Sequence, residues 1–359
     1  MSRPSLDELV AQAERSELFT APCLEADVAR FLREHSERIG GLAREARQRA
    51  YETVYFVGSG GSWSAMYSGK YLADRFATVP SELVYSYELC WREPRRLGPS
   101  ALVFLASYSG KTEDALAALE CAKRAGARTV ALVKSAASPL GQEADEVVAY
   151  DSSALYTLPA LAVSLFAVEY ARAGDLDAPT ARALDELRAG IDALPQMIGR
   201  AYRDEKARCE ELARAFLPSD LLYCVGAGPL YGLAYKFALT VFMENIRTHG
   251  SVVESAEFRH GPAEMLERQR ADMVFLLGSD ESRALTERSL AFARERGART
   301  IVFDAASYEG LHPLLSPYVL KVPLQWFVVY SALLRGILDL DERVFMGRRV
   351  LSDGRAGWP

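Results

Sequence analysis

Val54-Tyr-Phe-Val-Gly58-Ser-Gly60 recurs 168 positions later as Leu222-Tyr-Cys-Val-Gly226-Ala-Gly228. Each copy is an apolar run that ends in a glycine-containing turn, the pattern of a strand buried on both faces. Two further pairs follow in the same order, Val103-Phe-Leu105 with Val274-Phe-Leu276 and Gly126-Ala-Arg-Thr-Val130 with Gly297-Ala-Arg-Thr-Ile301, both offset by 171 positions. Three ordered matches identify an internal duplication. In the first copy, strands at 53–57, 82–87, 101–106 and 126–133 alternate with helices that run through Tyr71 and Arg124. Such alternation predicts an α/β fold with a doubly wound parallel sheet in each copy. The expected divisions are N-terminal helices at 1–50 packing on the first unit, the first unit at 51–171, a helical connection at 172–218, the second unit at 219–335 and a tail at 336–359.

Composition narrows the function. The 359 residues carry a net charge of −6 with no basic blocks, which argues against nucleic acid and anionic membrane as partners. Five cysteines are scattered with no C-x-x-C pair, so they read as reduced thiols of a cytoplasmic protein, neither a disulfide frame nor a zinc site. The N-terminal residues contain no apolar signal core. The longest uncharged run, 152–168, is short for a membrane span and contains Pro159, so it is expected as a buried helix. Residues 5–49 read as one or two amphipathic helices. Eight arginines balance nine acids before residue 50, which excludes a basic DNA-reading head.

The two copies differ where chemistry is expected. The loops Gly58-Ser-Gly-Gly-Ser62 and Ser107-Tyr-Ser-Gly-Lys-Thr112 put hydroxyls where strands hand over to helices, and helix N-termini attract anions. Leu105 stands where a nucleotide P-loop needs glycine, and Trp63 and Tyr231 break the dinucleotide pattern, so no nucleotide cofactor is expected. Ser62, Ser107, Ser109 and Thr112 suit the oxygens of a terminal phosphate; the alternative is that the second loop only caps the helix at 113. In the second copy these positions are Leu230, Gly278, Asp280 and Arg283. That copy instead holds Glu244-Asn-Ile-Arg-Thr-His249-Gly-Ser-Val-Val-Glu254-Ser-Ala-Glu257-Phe-Arg-His260-Gly-Pro262, read as a helix carrying Glu244 and then a loop that presents His260. A carboxylate and an imidazole in one site move protons near neutral pH. Gly61, Tyr108, Lys111, His249 and Glu257 are further candidates. His249 reads equally as a loop histidine, Lys111 as a solvated lysine, and Glu257 as an orienting residue. His35 and His312 read as structural, and the tyrosines and tryptophans as core.

Gly58-Ser-Gly-Gly-Ser62 and Ser107-Tyr-Ser-Gly-Lys-Thr112 resemble the sugar-phosphate loops of SIS (sugar isomerase) domains. Glu257-Phe-Arg-His260-Gly-Pro262, with Glu244 sixteen positions before the histidine, is similar to the catalytic stretch of tandem SIS proteins. These include the isomerase half of glucosamine-6-phosphate synthase and the fructosamine-6-phosphate deglycases. Val322-Pro-Leu-Gln325 and Phe345-Met-Gly-Arg-Arg-Val350 resemble their C-terminal elements, the latter closest to the deglycases.

The resemblance implies that Ser62, Ser107, Ser109 and Thr112 hold a 6-phosphate and that Glu244 is the base at C1/C2. It implies that His260 handles ring opening or leaving-group protonation, donated across the interface of a homodimer or higher homo-oligomer. Arg348 or Arg349 stands where the synthase has a lysine, Leu158 where it has another, and the glutaminase part is expected to be missing. The expected substrate is therefore a 6-phosphosugar carrying an amine, from which the amine is released without a metal or redox cofactor. An aminosugar-6-phosphate isomerase or deaminase is the alternative within this chemistry, and a non-catalytic sugar-phosphate sensor is the alternative outside it.

Overall fold

β1 (Thr53–Gly58) is buried along its whole length, and its side chains alternate between two cores. Val54 and Phe56 face one, Tyr55 and Val57 the other, as the two-residue period of a strand requires. It lies inside a parallel sheet with β2 (Ser81–Tyr85), β3 (Ala101–Ala106), β4 (Arg128–Val133) and β5 (Glu146–Ala149), in the order β2-β1-β3-β4-β5. The computed structural model describes residues 4–268, 270–342 and 345. A second parallel sheet comprises β6 (Leu221–Gly226), β7 (His249–Glu254), β8 (Asp272–Leu277) and β9 (Arg299–Asp304), in the order β7-β6-β8-β9. The two orders agree over four strands, so the duplicated sequence is a duplicated topology, and the fold is α/β with two helix-flanked parallel sheets.

The first sheet is covered on its outer face by α4 (Ser86–Arg92), α5 (Glu113–Arg124) and α6 (Pro139–Glu143), and the second by α12 (Arg283–Glu295). The inner faces share one continuous core, built on α1 (Leu6–Ala13), α2 (Ala21–Gln48), α3 (Gly61–Phe76), α7 (Thr157–Arg172), α8 (Ala178–Asp204), α9 (Lys206–Ala215), α10 (Tyr231–Tyr235), α11 (Phe242–Asn245) and α13 (Ser316–Leu334). The uncharged run becomes the buried α7. The segment Pro313–Leu334 is apolar and long enough to cross a membrane, but most of it lies inside the fold as a core helix.

The polar stretch at 172–190, expected within a helical connection, belongs largely to α8, which buries Leu184, Leu187, Ile191, Leu194 and Ile198 at helical spacing. Two elements differ from the reading of the sequence. Trp91 is 72% exposed and stacks on Tyr87, outside any core. The stretch between Glu244 and His260, expected as a loop, contains β7, an edge strand paired only with β6. Its seat is tight. A Cβ on Gly250 would stand 1.9 Å from the carbonyl oxygen of Ala238, in the helix that leads to Glu244.

Glycine-to-alanine changes in strands ordinarily stabilise by roughly 0.5–1 kcal/mol. At position 250 overpacking wins, and Gly250→Ala is expected to lower stability by about 1–3 kcal/mol in urea unfolding. A variant as stable as the wild type would contradict the close seating of β7.

Candidate active site

In a sheet of order 2-1-3-4-5, the connections leave β1 and β3 in opposite directions and open a crevice at their carboxyl ends. Both hydroxyl loops lie there. After β1, the turn at Ser59 and Gly60 feeds α3, and after β3 residues 107–112 feed α5. Neither helix has a side-chain cap at its N-terminus: Gly60 stands at one, and Thr112 stands at the other without a capping bond. The Thr112 hydroxyl is shared instead with Ser107 Oγ at 3.1 Å, so it does not cap the helix. Backbone N–H groups of Gly110 and Lys111 donate to Ser107 Oγ and Ser109 Oγ at 3.1 and 3.2 Å. Gly110 has φ 60°, and a Cβ there would come within 2.2 Å of Ser138 Oγ, which explains the glycine. The Lys111 side chain is exposed. Ser59 Oγ donates to Asp114 Oδ2 of α5 at 2.6 Å, tying the two loops together.

The equivalent crevice of the second sheet is filled by its own side chains. Arg283 donates to the Gly278 carbonyl at 2.7 Å and to both oxygens of Asp304 at 2.7 and 2.9 Å. That bond holds the Asp304 carboxyl below its usual range in spite of partial burial. Asp280 accepts from the Ser282 N–H at 2.7 Å, and a Cβ on Gly228 would touch both residues. A carboxylate and an internal ion pair therefore occupy the place that is lined by hydroxyls in the first copy.

A pocket opens beside the first crevice. It is lined by Ser153, Leu155 and Tyr156 after β5, by Lys236 and Glu244 from the second repeat, and by Lys321 and Gln325 of α13. The Tyr108 hydroxyl joins it to the second loop by donating to Ser153 Oγ at 3.2 Å. Gly61 joins it to the first loop, because a Cβ there would lie 3.1 Å from Lys236 Nζ and 3.4 Å from Leu155 Cδ1. Leu18, Phe19, Thr20 and Leu340 supply another wall. This wall is fastened by Asp341, whose carboxylate accepts from Ser16 Oγ and from the N–H groups of Glu17 and Leu18.

Glu244 thus reaches the pocket, and the hydroxyl loops border it. The two histidines do not line it. His249 is exposed at the amino end of β7. Glu257 and His260 are exposed on a 3-10 turn beyond the opposite end of β7, where buried Phe258 packs against Phe275 and Phe292 and pins the turn. His260 Nε2 accepts from its neighbour Arg259 at 3.1 Å. Arg348 and Arg349 lie outside the described residues. Among the described residues, no cluster of three or more His, Cys, Asp or Glu side chains could hold a metal ion.

Two residues that sequence reasoning passed over, Lys236 and Lys321, are buried amines. Lys321, 2% exposed, donates to Thr20 Oγ1 and Thr157 Oγ1 at 2.9 and 3.0 Å. Burial, and then the nearby Lys236 charge, push its amine well below the ordinary lysine range, against a weaker opposite pull from Asp27. Between its lowered folded-state pKa and the ordinary range, the unfolded chain holds the extra proton, so stability rises with pH there. Lys321→Met removes that dependence. The stability difference between wild type and variant should therefore shift by about 1.4 kcal/mol per pH unit within that window, moving toward the wild type as pH rises. Urea unfolding at a series of pH values below the ordinary lysine range checks this, and a difference flat throughout the series would mean that Lys321 folds charged.

Comparison with known proteins agrees with this architecture. The SIS domain family matches residues 49–169. Fructoselysine 6-phosphate deglycase of Escherichia coli (strain K12) is 33% identical over 310 residues, covering 86% of this chain and 89% of that protein. Fructosamine deglycase FrlB of Bacillus subtilis (strain 168) is 31% identical over 280 residues, covering 76% and 83%. The C-terminal domain of glucosamine-fructose-6-phosphate aminotransferase from Francisella tularensis superposes with a TM-score of 0.77 over 91% of this chain and 98% of that one; at 19% identity it shows the shared fold. With its duplicated sheets and its likeness along most of its length to these deglycases, the chain belongs to the SIS-domain family that contains fructoselysine 6-phosphate deglycase.

Proposed function

We propose that the protein releases an amine from a ketosamine 6-phosphate, leaving an aldose 6-phosphate. The observation that carries this reading is the pocket beside the first crevice, where Glu244 of one repeat meets Leu155 and Tyr156 of the other and where Ser153 accepts from Tyr108 of the second hydroxyl loop. The 33% identity to a fructoselysine 6-phosphate deglycase supports the substrate class. Ser62, Ser107, Ser109 and Thr112, with the N–H groups at the uncapped start of α5, hold the phosphate. Glu244 removes a proton from C1 of the open-chain substrate, the electron pair moves into a C1–C2 double bond, and the carbonyl electron pair goes to the C2 oxygen, which takes a proton to give an enaminol. Protonation at C2 with loss of the N–H proton leaves an imine at C1; water adds there, and the C–N bond breaks as the nitrogen is protonated and leaves as the amine. The steps are proton transfers and one hydrolysis, so no redox cofactor takes part.

His260 completes the site from a second copy of the chain, in a homodimer or larger homo-oligomer. Its exposure and the pinned turn beneath it suit delivery to another subunit. Leu239 and Met243, 42% and 38% exposed, flank Glu244 on the same helical segment and offer an apolar surface for such a neighbour. Five free thiols suit a reducing cytoplasm.

Glu244→Gln and His260→Ala are each expected to lose at least about 10²-fold in kcat on a ketosamine 6-phosphate while remaining folded. Mixing the two variants should restore up to about a quarter of wild-type activity, because a mixed dimer holds one intact site. Near-normal turnover by both single variants would end the assignment, and no recovery on mixing would end the shared site. The dephosphorylated substrate should lose at least about 10³-fold in kcat/KM, since the loop donors then go unpaired. Equal kinetics with and without the phosphate would contradict the loop assignment.

A further inference from the structure

Lys236 opens a π-helical turn, Lys236–Val241, that leads directly into α11 and Glu244. In a regular α-helix, residues eight apart point about 80° away from each other. A π-turn takes in one extra residue, which swings Lys236 onto the side of Glu244. Both side chains accordingly line the same pocket. Thr240 Oγ1 donates to the Lys236 carbonyl at 2.7 Å across this turn.

The lysine is 8% exposed, and its amine reaches out of the second repeat to the first residue of α3. Gly61 leaves the space, since a Cβ there would lie 3.1 Å from Nζ. Tyr156 flanks the amine, its ring centre 5.7 Å away. Lys321 also lines the pocket and donates to Thr20 and Thr157.

Removing the C1 proton with a carboxylate builds negative charge on the oxygen of C2, and in an apolar pocket that charge needs a fixed donor. The phosphate loops serve the far end of the substrate, and Glu244 carries charge of the same sign. The geometry points to Lys236 as the electrophile: its amine donates to the C2 oxygen while Glu244 takes the C1 proton, and it holds the enolate-like charge until C2 is reprotonated. No covalent bond to the lysine forms. This assignment rests on the proposed amine-releasing reaction, but its test does not require that amine be released.

The test compares two ligands on the full chain. One is a phosphorylated five-carbon aldonohydroxamate, whose hydroxamate mimics an enediolate. The other is a hexitol 6-phosphate, with the same phosphate and no carbonyl oxygen. Calorimetric titration of Lys236→Met should show about a 10²-fold weaker hydroxamate and less than about a threefold change for the hexitol. Lys236→Arg should recover much of the loss, and kcat on a ketosamine 6-phosphate should fall with KM little changed. Equal losses on both ligands would make Lys236 a phosphate anchor or a packing residue, and unchanged affinities would remove it from the site; either overturns the inference. If the wild type released amine from no ketosamine 6-phosphate yet the ligand split held, the deglycase reading would fail while the lysine assignment stood for another enediolate-forming reaction.

Discussion

The structure depends on the divergence of the chain at β1 and β3. Parallel strands end with their carboxyl tips aligned, and helices that leave in opposite directions expose their N–H groups on either side of the gap. The duplication makes this gap twice and resolves it in opposite ways. In the first copy, small hydroxylic residues and the uncapped start of α5 keep the crevice polar. In the second, Arg283, Asp304 and Asp280 fill it from within. The first crevice offers hydroxyls, with the Asp114 carboxylate tying its loops together, and the second is filled by its own side chains; on the proposed function, duplication has yielded one binding centre and one scaffold.

The scaffold half is not passive. Its inner face shares a core with the first half, and this holds the helical segment at 231–245 against α3. The π-turn in that segment lets an amine and a carboxylate face one pocket. Gly250 lets β7 press against the same segment, and Gly61 leaves room for the lysine that crosses between the repeats. Segments near both ends of the chain close the remaining side, through the bonds that Asp341 accepts from residues 16–18.

Much of this was legible in residue order. Buried parallel strands are continuous apolar runs, so β1, β3, β4 and their counterparts stand out, and their repetition reveals the duplicated fold. The hydroxyl loops and Glu244 were found by residue type and position. What escaped did so for physical reasons. β7 is an edge strand, only partly buried, with a histidine, a glycine and a glutamate in it, which mimics a loop. Lys236 falls off the Glu244 face under α-helical periodicity and returns to it only through the π-turn. Lys321 sits inside an apolar helix where a charged residue is not expected, and it is tolerated because two threonines accept from it. The walls from residues 18–20 and Leu340 are distant in sequence from everything else in the pocket. His260 is exposed and stands apart from the pocket within one chain.

A crystal structure of the protein with glucose 6-phosphate tests the division of labour between the repeats most directly. The account predicts the phosphate within hydrogen-bonding distance of Ser107, Ser109 and Thr112, with the C1–C2 end of the sugar turned toward Glu244. A phosphate seated instead at Gly228 and Asp280, or a sugar directed away from Glu244, would contradict it.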